Sequence, residues 1–206
     1  MKIQNQVSNS SGIRHSGQSR AAGSALCSCG QARARREKAL TTRENQSDQP
    51  QEFKIPEPLR IDQNDLCAAL ERAILSGGKT AKAARKLLKV LQPHLLKEEE
   101  DLLQILGLLV PLAQGKITAE MRSVPLKAEH LKSRMFEIMR EHIAIIEASR
   151  KVAHAAGAEG KLRLVAFTEH LMLRAWTDEV VFYPAAILIG EYLKLRFEQH
   201  DQSLKT

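Results

Sequence analysis

Between about residues 60 and 200 the apolar side chains fall at intervals of three and four, which stacks them on one face of an α-helix. Leu131, Met135, Ile138, Ile145, Ile146 and Val152 make one such stripe, and Leu91, Leu95, Leu102 and Ile105 make another. Helix-stopping residues cut the pattern into four segments. The first is predicted from a cap at Asp62 or Asn64 to about Leu75, ended by Ser76, Gly77 and Gly78. The second runs from a Thr80 cap to about Ala113, with Pro93 expected to kink it beside His94. A linker over 114–127 holds Gly115 and Pro125. The third helix covers about Ala128–Ala156, and the fourth about Glu159–His200, with a second kink expected at Pro184. Four long helices with short connections predict an all-α fold, an antiparallel up-down four-helix bundle.

Residues 1–57 carry no sustained period and are rich in Ser, Gln, Asn and Gly, so they are expected to form a disordered basic tail. The prolines of Ile55–Pro58 mark a boundary, which assigns 1–57 to the tail and 58–206 to the bundle. The formal net charge of +7 is unevenly spread: nine Lys/Arg stand against five Asp/Glu in 1–57, and twenty-two against nineteen after that. A bundle so nearly balanced gives no reason to expect a nucleic-acid partner. The basic run at Arg33, Arg35, Arg36 and Lys38 reads as a solvated segment of the tail. The longest apolar run, 102–113, is interrupted by Gln104, Gly107 and Pro111 and falls short of the ~20 residues that cross a bilayer. No membrane association is expected. Cys27, Cys29 and Cys67 are too few and too oddly spaced for a disulfide framework, and read as a cytoplasmic, reducing setting.

Several polar residues fall where the helical period calls for apolar ones. His142 sits in the middle of the third helix's stripe and should face the interior, where an imidazole needs partners for both nitrogens. Such a histidine is either a hydrogen-bonded core residue or a metal ligand. His94 and Glu98, four apart, share a helix face and could grip one first-row metal together. On the fourth helix Phe167, Leu171, Arg174, Asp178, Val181 and Ala185 share a face, which places Arg174 and Asp178 at core depth. Arginine has no lone pair to offer a metal, but it can pair with Asp178 and supply positive charge. Cys67, among Leu66, Ala68, Ala69 and Leu70, is either a small buried hydrophobe or a thiolate ligand. The chain also repeats itself: the block ending His94, Glu98, Glu99 has a counterpart ending Arg174, Asp178, Glu179. Two such halves bring three positions each to a shared centre.

No serine or cysteine nucleophile stands at recognisable spacing from a base, so no enzyme activity is expected. Gly77–Thr80 has the look of a phosphate-loop ending, but position 73 is Ala where the preceding glycine is required.

With these residues assembled, the chain resembles the hemerythrin family, in its HHE cation-binding branch, over most of residues 60–197. The resemblance rests on His94–Glu100, on Gly107–Leu109 and Ala113–Met121, on Met139–Ile146, and above all on Asp178–Leu193. It implies a bundle holding one metal or two irons among histidines and carboxylates, and binding dioxygen or sensing oxygen, iron or redox state. By position it implies ligand roles for His94, Glu98 and His142, with Asp178 in place of a glutamate. Cys67 stands where the family's first-helix histidine is expected, and Arg174 where its fourth-helix histidine is expected. Two expectations follow. Either the chain binds a cation, with non-haem iron held among His94, Glu98, His142, Asp178 and Cys67, or the bundle is metal-free and Arg174 supplies the missing charge in a structural or interaction module.

Overall fold

The computed structural model describes residues 53–203, and among the described residues the chain is all helical, with no strand. Helices α1 (Glu57–Leu75) and α2 (Gly78–Lys97) form a hairpin across two linking residues. A π-helical turn, Glu98–Leu102, carries α2 into the short helices α3 (Leu103–Leu106) and α4 (Leu109–Ala113). A 3₁₀ segment, Ala119–Ser123, leads into α5 (Val124–Ser133), and after Arg134 into α6 (Met135–Ala158). Helix α7 (Leu162–Thr177) passes through a second π-helical turn, Asp178–Phe182, into α8 (Tyr183–Ser203). Helix α2 packs on α1 and α6, α6 on α7, and α5 on α8, with a narrower contact between α1 and α7. Gly190 permits the α5–α8 approach, because a Cβ there would lie 2.2 Å from that of Ala128.

Several helix boundaries differ from expectation, each for a local reason. Helix α1 starts at Glu57, five residues before Asp62, because Pro58 suits a first turn: its missing N–H would have no partner there and its φ is already helical. Asp62 is therefore a mid-helix residue whose carboxylate pairs with Arg174 and His170 instead of capping the helix. The described end of the expected tail also belongs to the core. Phe53 and Ile55 pack against it, and the Lys54 carbonyl crosses Gly107 so closely that a Cβ would lie 2.2 Å from it. The remainder of the tail, with Cys27, Cys29 and the basic run, lies outside the described residues. The 3₁₀ segment and the start of α5 take up the expected linker from 119 to 127, with Pro125 again in a first turn. Helix α2 runs unbroken through Pro93, and the expanded turn comes after it.

Thr80 is not a cap but a residue inside α2. The first turn of α2 is capped from across the molecule, by Glu159 in the α6–α7 link. Its carboxylate accepts from the backbone N–H groups of Lys79 (2.6 Å) and Thr80 (3.3 Å) and from the Thr80 hydroxyl (2.7 Å). It thereby satisfies helix-end donors that no residue of α2 can reach, at the positive end of the helix dipole. Lys161 completes the junction, donating to Glu159, to the Ser76 hydroxyl and to the Gly77 carbonyl.

Two apolar clusters form the interior. One gathers Leu66, Cys67, Leu70, Leu87, Leu91, Ile145, Val152 and Leu171; the other gathers Leu102, Leu103, Ile105, Val124, Leu131, Ile138, Ala186 and Leu193. Along α2, α6 and α7–α8 alike, the residues between the two clusters are polar and buried.

Lys161 and the Thr80 bond hold the Glu159 carboxyl at about 2, below its ordinary 4.5. A depressed carboxyl stabilises the fold fully above its unfolded value and ceases to do so as pH falls through the folded one. Glu159→Gln is expected to lower the melting temperature at neutral pH, with the difference from the parent chain shrinking between about pH 4.5 and pH 2. A constant difference across that range, in thermal melts followed by circular dichroism, would contradict the capping role.

Candidate metal centre

The polar layer is built by five buried side chains: His94 on α2, His142 on α6, Arg174 on α7, and Glu98 and Asp178 opening the two π turns. The π turns explain much of the geometry. Each closes with a wide hydrogen bond, from Leu103 N–H to the Glu98 carbonyl and from Tyr183 N–H to the Asp178 carbonyl. Each adds a residue to the turn, so the buried face moves on by one position. After Asp178 the buried residues are Tyr183, Ala186, Ile189, Gly190 and Leu193, whereas Val181, expected to be interior, is half exposed. The wide turn also accommodates Pro184, which has no N–H to donate to the preceding turn.

His94 and His142 meet edge to face, with 3.0 Å between their Nε2 atoms. His94 Nε2 is also 3.3 Å from Glu98 Oε1. Both rings are held from behind. His94 Nδ1 lies 2.9 Å from Glu141 Oε2, and His142 Nδ1 lies 2.8 Å from Glu179 Oε1. A carboxylate can only accept, so each Nδ1 carries a proton, and each ring, when neutral, turns its Nε2 lone pair inward. With both rings neutral, two imidazole lone pairs and a carboxylate oxygen would converge, which is unfavourable unless one positive charge, a proton or a metal ion, sits among them. Two nitrogens about 2.1 Å from a common ion and at right angles around it are about 3.0 Å apart, the spacing found here. The carboxylates behind the rings are the arrangement that fixes tautomer and basicity in metal sites. The donor atoms of His94, Glu98 and His142 all lie within 4.8 Å of one another, and these three could hold a metal ion.

The other half of the layer is arranged alike but carries different chemistry. Arg174 reaches Asp62 through Nη1, Asp178 through Nε at 3.2 Å and Glu98 through Nη2 at 3.5 Å. Its contact with Asp62 on α1 matches the contact of His94 with Glu141 on α6. In that register Gln63 on α1 corresponds to His142. Gln63 is indeed buried, and among the described residues its Nε2 has no hydrogen-bond partner. The repeat seen in the sequence is therefore a repeat of geometry, with arginine and glutamine standing where the first half has histidines.

Electrostatics divide the layer the same way. Burial alone would lower the His94 pKa, but Glu98 and Glu141 outweigh it and hold it above the ordinary histidine value. Burial and the nearby charge of His94 hold His142 below that value. Burial pushes Glu98 up, but the His94 hydrogen bond and the charges of His94 and Arg174 prevail and keep it ionised. Asp178 goes the other way, pushed up to about 7 by burial and by the charge on Glu98. Its Oδ1 is buried with no hydrogen-bond partner among the described residues. The Tyr183 hydroxyl donates to Glu98 Oε1 at 3.1 Å, and burial beside these carboxylates raises its pKa. A cavity of about 10 Å³, room for about one water, lies against His94, Glu98 and Tyr183. The Lys97–Glu141 and Arg134–Asp101 ion pairs also line it.

Of the residues expected from sequence, His94, Glu98 and His142 come together as one donor set. Asp178 is in the layer but faces Arg174, and Cys67 lies one helical turn beyond Gln63, within an apolar cluster. Asp62, Gln63, Glu141, Glu179 and Tyr183 belong to the layer as well, and the sequence reading missed them. Glu141 and Glu179 had a signal, each being an acid directly beside a core-facing polar residue. Tyr183 had none, because a π turn is invisible to a 3.6-residue period.

Compared with protein-family models, with curated proteins and with solved structures, the chain matches none.

Removing the guanidinium would leave the buried carboxyl groups of Glu98 and Asp178 facing each other, with Asp62 half-buried at their edge. Arg174→Met is expected to destabilise the fold by about 3–5 kcal/mol, the usual cost of stranding buried charges. Urea denaturation at pH 7 measures it, and a loss below about 1 kcal/mol would show that the layer tolerates unpaired carboxylates.

Proposed function

We propose that this chain is a hemerythrin-like cation-binding protein, a four-helix bundle holding a single non-haem iron in one half of its polar layer. It acts by carriage or sensing of oxygen, iron or redox state rather than by catalysis, in a reducing, cytoplasmic setting. The single observation that carries the reading is the 3.0 Å approach of two Nε2 atoms whose Nδ1 atoms are both anchored to carboxylates. His94, His142 and Glu98 would hold the ion. Two imidazoles with one carboxylate suit ferrous iron, which keeps open positions and can change oxidation state.

This chain's own residues do the rest. Glu141 and Glu179 orient the imidazoles and keep them basic. Tyr183 orients Glu98, and the apolar clusters on either side exclude water. Arg174, with Asp62 and Asp178, fills the other half with a fixed cation, which limits the layer to one metal. The competing reading is a metal-free module. The raised His94 pKa favours it, since a proton on His94 Nε2 would also supply the one charge the lone pairs require.

Reconstitution with ferrous iron under exclusion of air, followed by metal analysis and an optical spectrum, separates the two. One iron per chain is expected, lost in His142→Ala and in Glu98→Gln. The double variant Gln63→His with Arg174→His is expected to take up a second ion. A parent chain that retains no iron, manganese or zinc after desalting is metal-free, and one that retains two irons refutes the role given to Arg174.

A further inference from the structure

On the outer side of α2 and α6 lies an open groove of about 340 Å³. Its floor is made of the small side chains Ala83, Ala144 and Ala148, and its rim of Lys79, Lys82, Lys86 and Lys151, all exposed. Glu147 is the one acid lining it. The lysines of α2 are three and four residues apart, so they crowd one helix face, where like charges destabilise the helix slightly. Three lysines elsewhere are paired with acids, Lys97 with Glu137, Lys132 with Glu191 and Lys161 with Glu159. Among the described residues none of the four rim lysines has an ion-pair partner. Beyond Lys151 the cationic surface continues to Arg150 and His154.

We propose that this groove docks an amphipathic acidic helix of a partner protein. The Ala floor, contributed by two adjacent helices, lets a third helix approach closely and lay a narrow apolar ridge between them. The lysine rim then meets acidic residues on both flanks of that ridge. An extended peptide fits poorly, because a helix surface offers no free backbone groups to pair with its own. Nucleic acid fits poorly too, since no aromatic side chain lines the groove for bases to stack on. The proposal is independent of metal binding in the polar layer.

The test uses the full chain and a synthetic helical peptide of about 18 residues, with a Leu/Ala stripe flanked by Glu, about five turns long. Binding is read from the NMR methyl shifts of Ala83, Ala144 and Ala148. Saturable shifts are expected at micromolar peptide, weakening as salt rises. Lys82→Glu with Lys86→Glu should weaken binding at least tenfold, and a peptide with Lys in place of Glu should restore it to that variant. The proposal fails if these methyls do not move at millimolar peptide, or if the charge-reversed chain binds the acidic peptide as tightly as the parent. It also fails if a single-stranded oligonucleotide shifts the same methyls at lower concentration, which would make the groove a polyanion site.

Discussion

Two imidazoles and a carboxylate crowd the same small volume in the interior of this protein, an arrangement that is favourable only with one positive charge among them. The surrounding structure follows from that requirement. Glu141 and Glu179 fix the protons on the outer nitrogens, which commits the inner nitrogens to one another. Tyr183 takes up a carboxylate oxygen that would otherwise add to the excess of acceptors. Apolar clusters above and below keep water from dissipating the field, so each charge in the layer is felt by its neighbours.

The layer's two halves solve the same problem by different means. Around His94 and His142 the balancing charge can come from outside, as a proton or a metal ion. Around Arg174 it is built into the chain, since a guanidinium stays protonated and can reach three carboxylates at once. The two halves share Glu98, which touches both His94 and Arg174 and is held ionised by both. Asp178, next to that same charge, bears the cost as a raised pKa and an unpartnered oxygen. A buried site with one adjustable cation and one permanent cation is internally asymmetric even though its backbone is repeated.

The repetition lies in the helices that bear the site. Each half has a polar residue at the end of an α-helix, a carboxylate four residues later, and a π turn beginning at that carboxylate. The expanded turns shift the register just past the polar layer and bring Leu103 and Tyr183 to the core. Away from the layer the fold is held by ordinary devices, notably the Glu159 cap, which ties the α6–α7 link to the start of α2. The lysine-rimmed groove lies on the same two helices as the histidines but faces solvent, so it can serve a partner without disturbing the interior.

Helical class, the approximate extents of the helices and the core positions of His94, Glu98, His142, Arg174 and Asp178 were readable from sequence. All of these depend on side chains three or four residues apart on one helix, and local spacing determines which face they share. Residue order could not show which faces meet. Only packing brought Glu141 behind His94, Glu179 behind His142 and Asp62 against Arg174, in each case across two helices. Prolines that looked like breaks proved to start α1 and α5, because a first helical turn has no use for the missing N–H. The π turns also lay beyond reach. One inserted residue costs little locally and leaves no trace in the period, yet it decides whether Tyr183 or Val181 faces the centre.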